Sequence, residues 1–571
     1  LDLGNATSDT LTFNGGVTES TGGTVTIDGA IVSSNDAISF GNINLGQNLS
    51  VTSAGGAISI GTITAASGSQ DITITSSGGS ANTVAVGAIG GSGNINTIAI
   101  TSGTLTTLNG NITTDENSDN SVTLVGTTTN GANITIDTDN SNDGAINIAA
   151  FSSSNNNLAL DSGAAEITLS GAAFNLGSGS LTTTGDINLA ANVSITATGG
   201  MTINNKIDAD SASSNDRTLT LSSGTGATMT FNDAIGSTEA LAGLTITQSD
   251  GVTFNSTLDI TDGSSGTLTV TDTENGSDIV FNGAVTLETV SFAAQGYDLV
   301  FNGSGNTFAN AATFQNTGTL DLGNASGDTF VFDAGLTENT TGTVTLAGSI
   351  DSTNDDITFG AITLATATTI DTNASDTTGD IIIGAVTGAN NSLTLDTTAS
   401  TGSADITFNG DINVGTGTLD VTGDVVLGAN VTLTTTKSSG NGILLRDAVN
   451  ADNATNNDRT LTLNSGTASA IFVGGNVGAT QALAGLTITQ SNGATFSGTV
   501  DVSDTNSGTI TLTDTTNNQN IAFNGNVTAD SFTTAAQGYD IFLLGNATFA
   551  NAVTFQNTGT LDLGNATSDT L

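Results

Sequence analysis

Short segments that alternate apolar and polar residues recur along the whole chain. In TVTIDG (24–29), AISFG (37–41) and NLSVTS (48–53), Val, Ile, Leu or Phe stands at every second position, with mostly polar residues between. A period of two is the pattern of a strand with one buried face. Gly and Asn turn residues interrupt the segments, and Gly and β-branched residues are poor helix formers. The pattern therefore predicts an all-β protein of short strands.

These segments return at intervals of about twenty residues. AISF at 37–40 is followed by AISI at 57–60, and Ile146, Ile167 and Ile187 begin three further segments. A turn of this length, stacked on its neighbours at about 4.8 Å, forms continuous parallel sheets around an apolar core. We therefore expect a parallel β-helix (β-solenoid) of about 20 residues per coil, an elongated rod of roughly 28 coils and about 135 Å. An array of β-sandwich domains is the structural alternative.

A longer repeat organises the coils. TFANAATFQNTGTLDLGNASGDTF at 307–330 returns with small changes at 548–571, a shift of 548 − 307 = 241 residues. The first repeat exceeds the second by 319 − 241 = 78 residues, located near 78–155, which corresponds to about four additional coils. We expect one continuous solenoid with three parts, namely repeat one (1–319), repeat two (320–560) and the start of a third unit (561–571).

Composition narrows the classes of function. The chain has 53 acidic and 5 basic residues, a net charge of −48, and no Cys. Nucleic acid requires a basic surface and anionic membranes repel an acidic one, so neither partner is expected. No apolar run approaches the ~20 residues of a membrane-spanning helix. Because such a charge calls for an ion-rich medium, we expect an extracellular or bacterial cell-surface location.

Two corresponding segments carry a family resemblance. SLTTTGDINLAANVSITATGG (180–200) and TLDVTGDVVLGANVTLTTT (418–436) resemble coils of filamentous haemagglutinin-type surface proteins and of the passenger regions of large autotransporter adhesins. The resemblance is one of rhythm and composition and covers essentially the whole chain. It implies a right-handed parallel β-helix that is exported to the bacterial surface. The secretion domain of these families and an RGD tripeptide are not in this sequence, so integrin-type binding is not carried over.

The sequence contains few candidate catalytic residues. Polysaccharide-cleaving β-helices need a carboxylate pair or a calcium-plus-base site beside sugar-binding aromatic or basic groups. The chain has no His and no Trp, and its rare residues Tyr297 and Tyr539 recur in register, as do Arg217 and Arg459. We expect structural roles for these residues, with each Arg in a turn where it pairs with a nearby carboxylate or caps carbonyls; a ligand-binding Arg is the alternative. No catalytic residue and no bound cofactor are predicted, and a polysaccharide-active enzyme is the weaker alternative.

One acidic segment resembles part of a calcium loop. It places oxygen ligands at alternate positions before a Gly, as the first half of an EF-hand does. The twelfth position, counted from Asp139, is Ala150 instead of Glu, so the motif is incomplete and solvated turns are the alternative. The candidate site for weakly bound Ca²⁺ consists of Asp137, Asp139, Ser141 and Asp143.

These patterns together predict a non-enzymatic structural segment of a long secreted fibrous repeat protein, a stalk or an extracellular filament such as occurs in biofilms. An adhesin region that binds surface glycans or proteins is the alternative. LDLGNATSDTL stands both at 1–11 and at 561–571. We interpret this repetition as a sign that the sequence is one part of a longer tandem array. The expected partners are therefore further copies, by end-to-end or lateral self-association, or the continuation of a longer chain.

Overall fold

The computed structural model describes the chain except for residues 67–68, 79–81, 92–94, 115–120, 140–142, 211–216, 262, 264–265, 373–378, 398–403, 453–458, 504–507 and 571. The described residues are all-β without a helix, and their parallel strands stack as a β-solenoid of about 22 turns with about 23 residues per turn. The predicted fold class is confirmed. The chain divides into two compact units, 1–293 and 294–571. A search of the described residues for a helix that could span a bilayer finds none.

The turns are longer and fewer than predicted, about 23 residues and 22 turns instead of about 20 residues and 28 coils, and the pairing of strands explains the difference. Ile38 pairs with Ile58, as the twenty-residue step predicts. Ile357 pairs instead with Ile381, a step of 24, because the second repeat has four more residues between these strands. The segment 372–380, in which we locate the addition, lies mostly outside the described residues. Residues are added between strands, so the strands themselves stay in register.

Most strands contain two to four residues, and the longest ones continue around a corner of the turn. At such a corner Gly29 has φ = 107°, and a Cβ there would collide with the backbone carbonyls of Ala6 and Asp9. Only Gly fits a position with this φ and this close approach. The long strands are Val25–Ser33, Ile43–Ser53, Ser121–Asn130, Leu158–Leu169 and Leu181–Leu189 in the first unit, and Val344–Ser352 and Ile362–Asp371 in the second.

One sheet of the second unit shows the stacking plainly. Its seven strands come from successive turns, and each pairs in parallel with the next. In each strand two alternate residues are buried and the residue between them points outward; the buried residues are apolar except Glu338. The strands are Ala312–Phe314, Leu336–Glu338, Ile357–Phe359, Ile381–Ile383, Asp405–Phe408, Asp424–Leu427 and Val449–Ala451.

The core consists of inward side chains that lie on their counterparts one turn away. Phe231, Phe254 and Phe281 form such a row, with ring centroids 5.1 Å apart and interplanar angles of 11° and 2°. All three rings are nearly inaccessible to solvent. Stacked rings add about 0.5–1.5 kcal/mol per pair to the free energy of unfolding beyond the burial of their area. The short strands are therefore held mainly by contacts between turns.

The additional residues of the first repeat change the phase of the stack. Val17 begins a row of paired residues that continues, one residue per turn, to Ile195. Ile207 follows Ile195 in the same turn but lies on a different face, so it does not belong to the row that Val17 begins. In the second repeat the corresponding residues, Leu336 and Val449, belong to one row. The added segment therefore shifts the phase by part of a turn, which the sequence period alone does not show.

The LDLGNA segment forms the same turn at each of its three occurrences. The carboxylates of Asp9, Asp328 and Asp569 each accept hydrogen bonds, at 2.7–3.2 Å, from the backbone N–H groups of the residues four and three positions earlier. The glycine before these donors has φ between 81° and 85° in all three copies. The segment is thus a turn closed by its own aspartate.

Candidate functional site

The predicted calcium ligands begin at Asp137, the last residue of the strand Ile134–Asp137, and continue beyond it. Asp137 pairs with Asp161 of the next turn, and its carboxylate accepts a hydrogen bond of 3.1 Å from the backbone N–H of Asp139. Ser141 lies outside the described residues. Asp137 thus orders the start of this segment through a local turn.

The carboxyl groups of Asp139 and Asp143 contact each other. A hydrogen bond with Asp143 raises the pKa of Asp139, and burial and the charges of neighbouring aspartates add to the rise. Both groups lie over Gly163, where a Cβ would collide with them. Such a pair shares a proton or attracts a cation. In the described part of the chain, no group of three or more His, Cys, Asp or Glu residues is arranged to hold a metal ion, so the calcium site stays a prediction.

The five basic side chains are all engaged within the protein. Lys437 donates to the hydroxyl of Thr418 at 2.7 Å and to the carbonyl of Asn441 at 3.1 Å. The other four form ion pairs, so the cations of this chain stabilise it internally. The pairs are Lys206–Asp186 (3.3 Å), Arg217–Asp210 (2.9 Å), Arg446–Asp420 (2.7 Å) and Arg459–Asp452 (2.7 Å).

The recurring Arg residues confirm the prediction that each pairs with a nearby carboxylate. Arg217 donates through Nε and Nη2 to Asp210, both at 2.9 Å. Arg459 makes the same two bonds to Asp452 at 2.8 Å and 2.7 Å. Two parallel bonds of this kind fix geometry as well as charge. The partner precedes each Arg by seven residues, and the adjacent Asp216 and Asp458 lie outside the described residues.

The recurring Tyr residues are core residues. Tyr297 and Tyr539 are both fully buried. The hydroxyl of Tyr539 lies 3.1 Å from the carbonyl oxygen of Leu512 and accepts the N–H of Ala535 at 3.0 Å. Burial raises the pKa of Tyr539, which keeps the phenol neutral. Neither ring is exposed to a ligand, which agrees with the structural role that their repetition predicts.

A shallow acidic groove of about 260 Å³ lies on the first unit. The groove is not evident in the sequence because its residues come from successive turns, about twenty positions apart. A search for acidic residues at the period of the coil would find it. Lys206 compensates only part of its charge, so the groove attracts cations in general. Its charged lining consists of Glu166, Asp186, Lys206, Asp208, Asp210 and Glu239.

The second unit carries rows of aspartates one turn apart. Asp351, Asp371 and Asp396 lie in register on three successive turns. Burial and the charge of Asp371 raise the pKa of Asp351. A second row includes Asp405, whose pKa is raised by burial and by the charges of the neighbouring aspartates. Like charges directly opposite each other destabilise a sheet, so these rows reduce stability at neutral pH.

Comparisons of the chain with family models, curated proteins and solved structures find no match.

Proposed function

We propose that the chain is a structural segment of a long extracellular repeat protein, in which it acts as a stalk or a filament without catalytic activity. The observation that carries the proposal is the use of the rare residues. Tyr297 and Tyr539 are buried in the core, and Arg217 and Arg459 hold the same carboxylate partner in both repeats. Residues that could act as catalytic or binding groups in a globular protein serve here to fill the core and to fix local geometry within a turn.

Polar surface residues support the same proposal because many of them bond to the next turn. Asn42 accepts the backbone N–H of Thr62 at 3.0 Å, and Asn476 accepts that of Thr499 at 2.9 Å. Side-chain bonds of this kind add to the backbone ladder at the edges of strands. A stack tied at both core and surface suits a load-bearing fibre, since each turn contacts only its neighbours.

The net charge of −48 supports an extracellular location, where salt screens repulsion between fibres. Further turns, of a longer chain or of a second copy, are the proposed partners at the outer turns of the stack. There Leu1 and Leu561 are 53% and 39% exposed, whereas the corresponding Leu320 is 0% exposed.

Electron microscopy tests the structural proposal. We compare the 571-residue chain with a variant in which residues 320–560 are duplicated in tandem. Addition of 241 residues at about 23 per turn is expected to lengthen a thin rod by about ten turns, or about 50 Å. A compact particle whose diameter grows in all directions would refute the stalk.

A region with adhesive function is the second candidate. It is favoured by one specific observation, the difference between the outward faces of the two repeats.

A further inference from the structure

In the first repeat, one outward face has a row of threonines that continues as Val280, beside a row of polar residues that bond to one another. Thr202, Thr230 and Thr253 lie in register on successive turns. Beside them runs a row of asparagines whose side-chain amides are linked in series, each Nδ2 donating to the preceding Oδ1 at 2.9–3.0 Å. The row consists of Asn204, Asn232, Asn255 and Asn282. This surface satisfies its own hydrogen bonds.

The same face of the second repeat is different. Leu444 and Phe472 stand where the first repeat has Thr, Phe542 stands where it has Val, and the series of asparagines is interrupted. We define the outward strip as the five residues in register on the strands Asn441–Leu445, Ala470–Val473, Ala494–Phe496, Asn520–Phe523 and Asp540–Leu543. They are Leu444, Phe472, Thr495, Ala522 and Phe542. The row beside the strip consists of Arg446, Gly474, Ser497, Asn524 and Leu544.

The core is conserved only in the middle of the strip. Phe496 and Phe523 stack there with centroids 4.9 Å apart and an angle of 9°, as Phe254 and Phe281 do in the first repeat at 5.1 Å and 2°. At the turns of Phe472 and Phe542 the inward residues are Val473 and Leu543, whereas the first repeat buries Phe231 and Phe301 at these positions. The second repeat thus places aromatic rings on the outward face, where they are partly exposed. A row of partly exposed aromatic and apolar side chains indicates a binding surface.

The dimensions of the strip restrict its partner. Four steps of about 4.8 Å separate Leu444 from Phe542, so the strip is about 19 Å long, and a strand of three residues is only about 10 Å wide. A stable protein interface buries about 800 Å² on each partner, several times the area of the strip. A single extended polymer chain covers such a surface fully.

The charge of the strip restricts the partner further. Arg446 is neutralised by two hydrogen bonds of 2.7 Å to Asp420, and the five residues of the strip carry no charge. On a chain with a net charge of −48, an anionic polymer is repelled. An uncharged polymer meets an uncharged surface and avoids this repulsion.

We propose that the outward strip binds an uncharged, extended polysaccharide. The rings of Phe472 and Phe542, about 14 Å apart, pack against the apolar faces of two pyranose rings. Thr495 lies between them, and Ser497 and Asn524 lie beside them, so a hydroxyl or amide is available to the sugar hydroxyls there. The spacing of turns is close to the length of one sugar unit in an extended glycan, so successive units meet successive turns.

The test uses the complete 571-residue chain. Cellohexaose, xylohexaose, mannohexaose, maltohexaose and chitohexaose are titrated by calorimetry, and alginate serves as the anionic probe. The variant F472T/F542V gives these two positions the residues that the first repeat has there, Thr230 and Val300. Its fold is therefore expected to be retained. The matched control is T230S/T253S on the face of the first repeat. Circular dichroism and thermal melting verify that each variant is folded.

We expect the chain to bind at least one hexasaccharide, with affinity lowered about tenfold or more in F472T/F542V and unchanged in the control. Failure to bind any of the five hexasaccharides refutes the inference, as does equal binding by the double variant or preference for alginate. Sedimentation velocity provides one more outcome. If the chain forms a concentration-dependent dimer that F472T/F542V abolishes, the strip is a self-association surface and the glycan is excluded. None of these results affects the measured length of the rod, so the stalk proposal is tested separately.

Discussion

Arg459 holds Asp452 by two parallel hydrogen bonds of 2.8 Å and 2.7 Å across seven residues of chain. The two side chains are 32% and 29% exposed, so solvent screens much of their attraction. We expect Arg459→Gln to lower the free energy of unfolding by about 0.5–1 kcal/mol at pH 7. Thermal melting of the wild type and the variant measures the difference. Lys437→Gln, which removes a cation without an aspartate partner, serves as the control.

The same pair has a defined pH dependence. The hydrogen bonds from Arg459 hold the pKa of Asp452 below its ordinary value. The stability from this pair is therefore complete above the unfolded-state pKa of about 3.9 and is lost as the pH falls through the lower, folded-state pKa. The difference in melting temperature between wild type and Arg459→Gln should shrink in that acidic range. A difference that stays constant down to pH 2 would contradict the role of the ion pair.

Asp351 is expected to behave in the opposite way. Burial and the charge of Asp371 raise its pKa, so the folded state favours the protonated form. The destabilisation by its charge is present above the folded-state pKa and is relieved as the pH falls towards the unfolded-state value of about 3.9. Asp351→Asn should therefore raise the free energy of unfolding at pH 7 by about 0.5–1 kcal/mol. The gain should disappear near pH 4.

Asp562→Asn is the control for this substitution, because Asp562 is an exposed residue whose replacement should change stability by less than about 0.5 kcal/mol. Chemical denaturation at pH 7 and pH 4 measures both variants. Equal stabilisation by the two substitutions would show that the total charge, and not the row of aspartates, limits stability.

Substitution of Asn255 tests whether the series of asparagines contributes to the free energy of unfolding. It donates to Asn232 and accepts from Asn282, at 2.9 Å and 3.0 Å, so Asn255→Ala breaks two hydrogen bonds in the middle of the series. Because these groups are exposed, we expect a loss of about 1 kcal/mol. Asn524→Ala is the matched control in the second repeat, where the neighbours in the row are Ser497 and Leu544. Equal losses for the two variants would show that the series adds nothing beyond a single surface amide.

The fold could be predicted because its main determinant is periodic. The alternation in each strand and the twenty-residue step located pairs such as Ile38 and Ile58, since parallel stacking requires like residues to recur at the turn length. The phase shift in the first repeat could not be predicted, because it depends on how corner residues divide among faces. The same limit applies to surfaces. Phe472 and Phe542 are 70 positions apart in sequence, and only the register of intervening turns brings them onto one strip.

Leu322 and Leu563 have the same sequence neighbours, LDLGNA, but different surroundings. Leu322 is 0% exposed and Leu563 is 41% exposed. Leu322→Ala leaves a cavity in the core and should cost about 2–5 kcal/mol, whereas Leu563→Ala should cost less than about 0.5 kcal/mol. Hydrogen exchange measured by mass spectrometry locates the effect, since turns of a solenoid unfold in neighbouring groups. We expect faster exchange at residues 299–301 and 344–346, which pair with the strand Leu320–Leu322. Similar costs for the two variants would mean that Leu563 is covered in solution, as it would be if a second copy stacked on that turn.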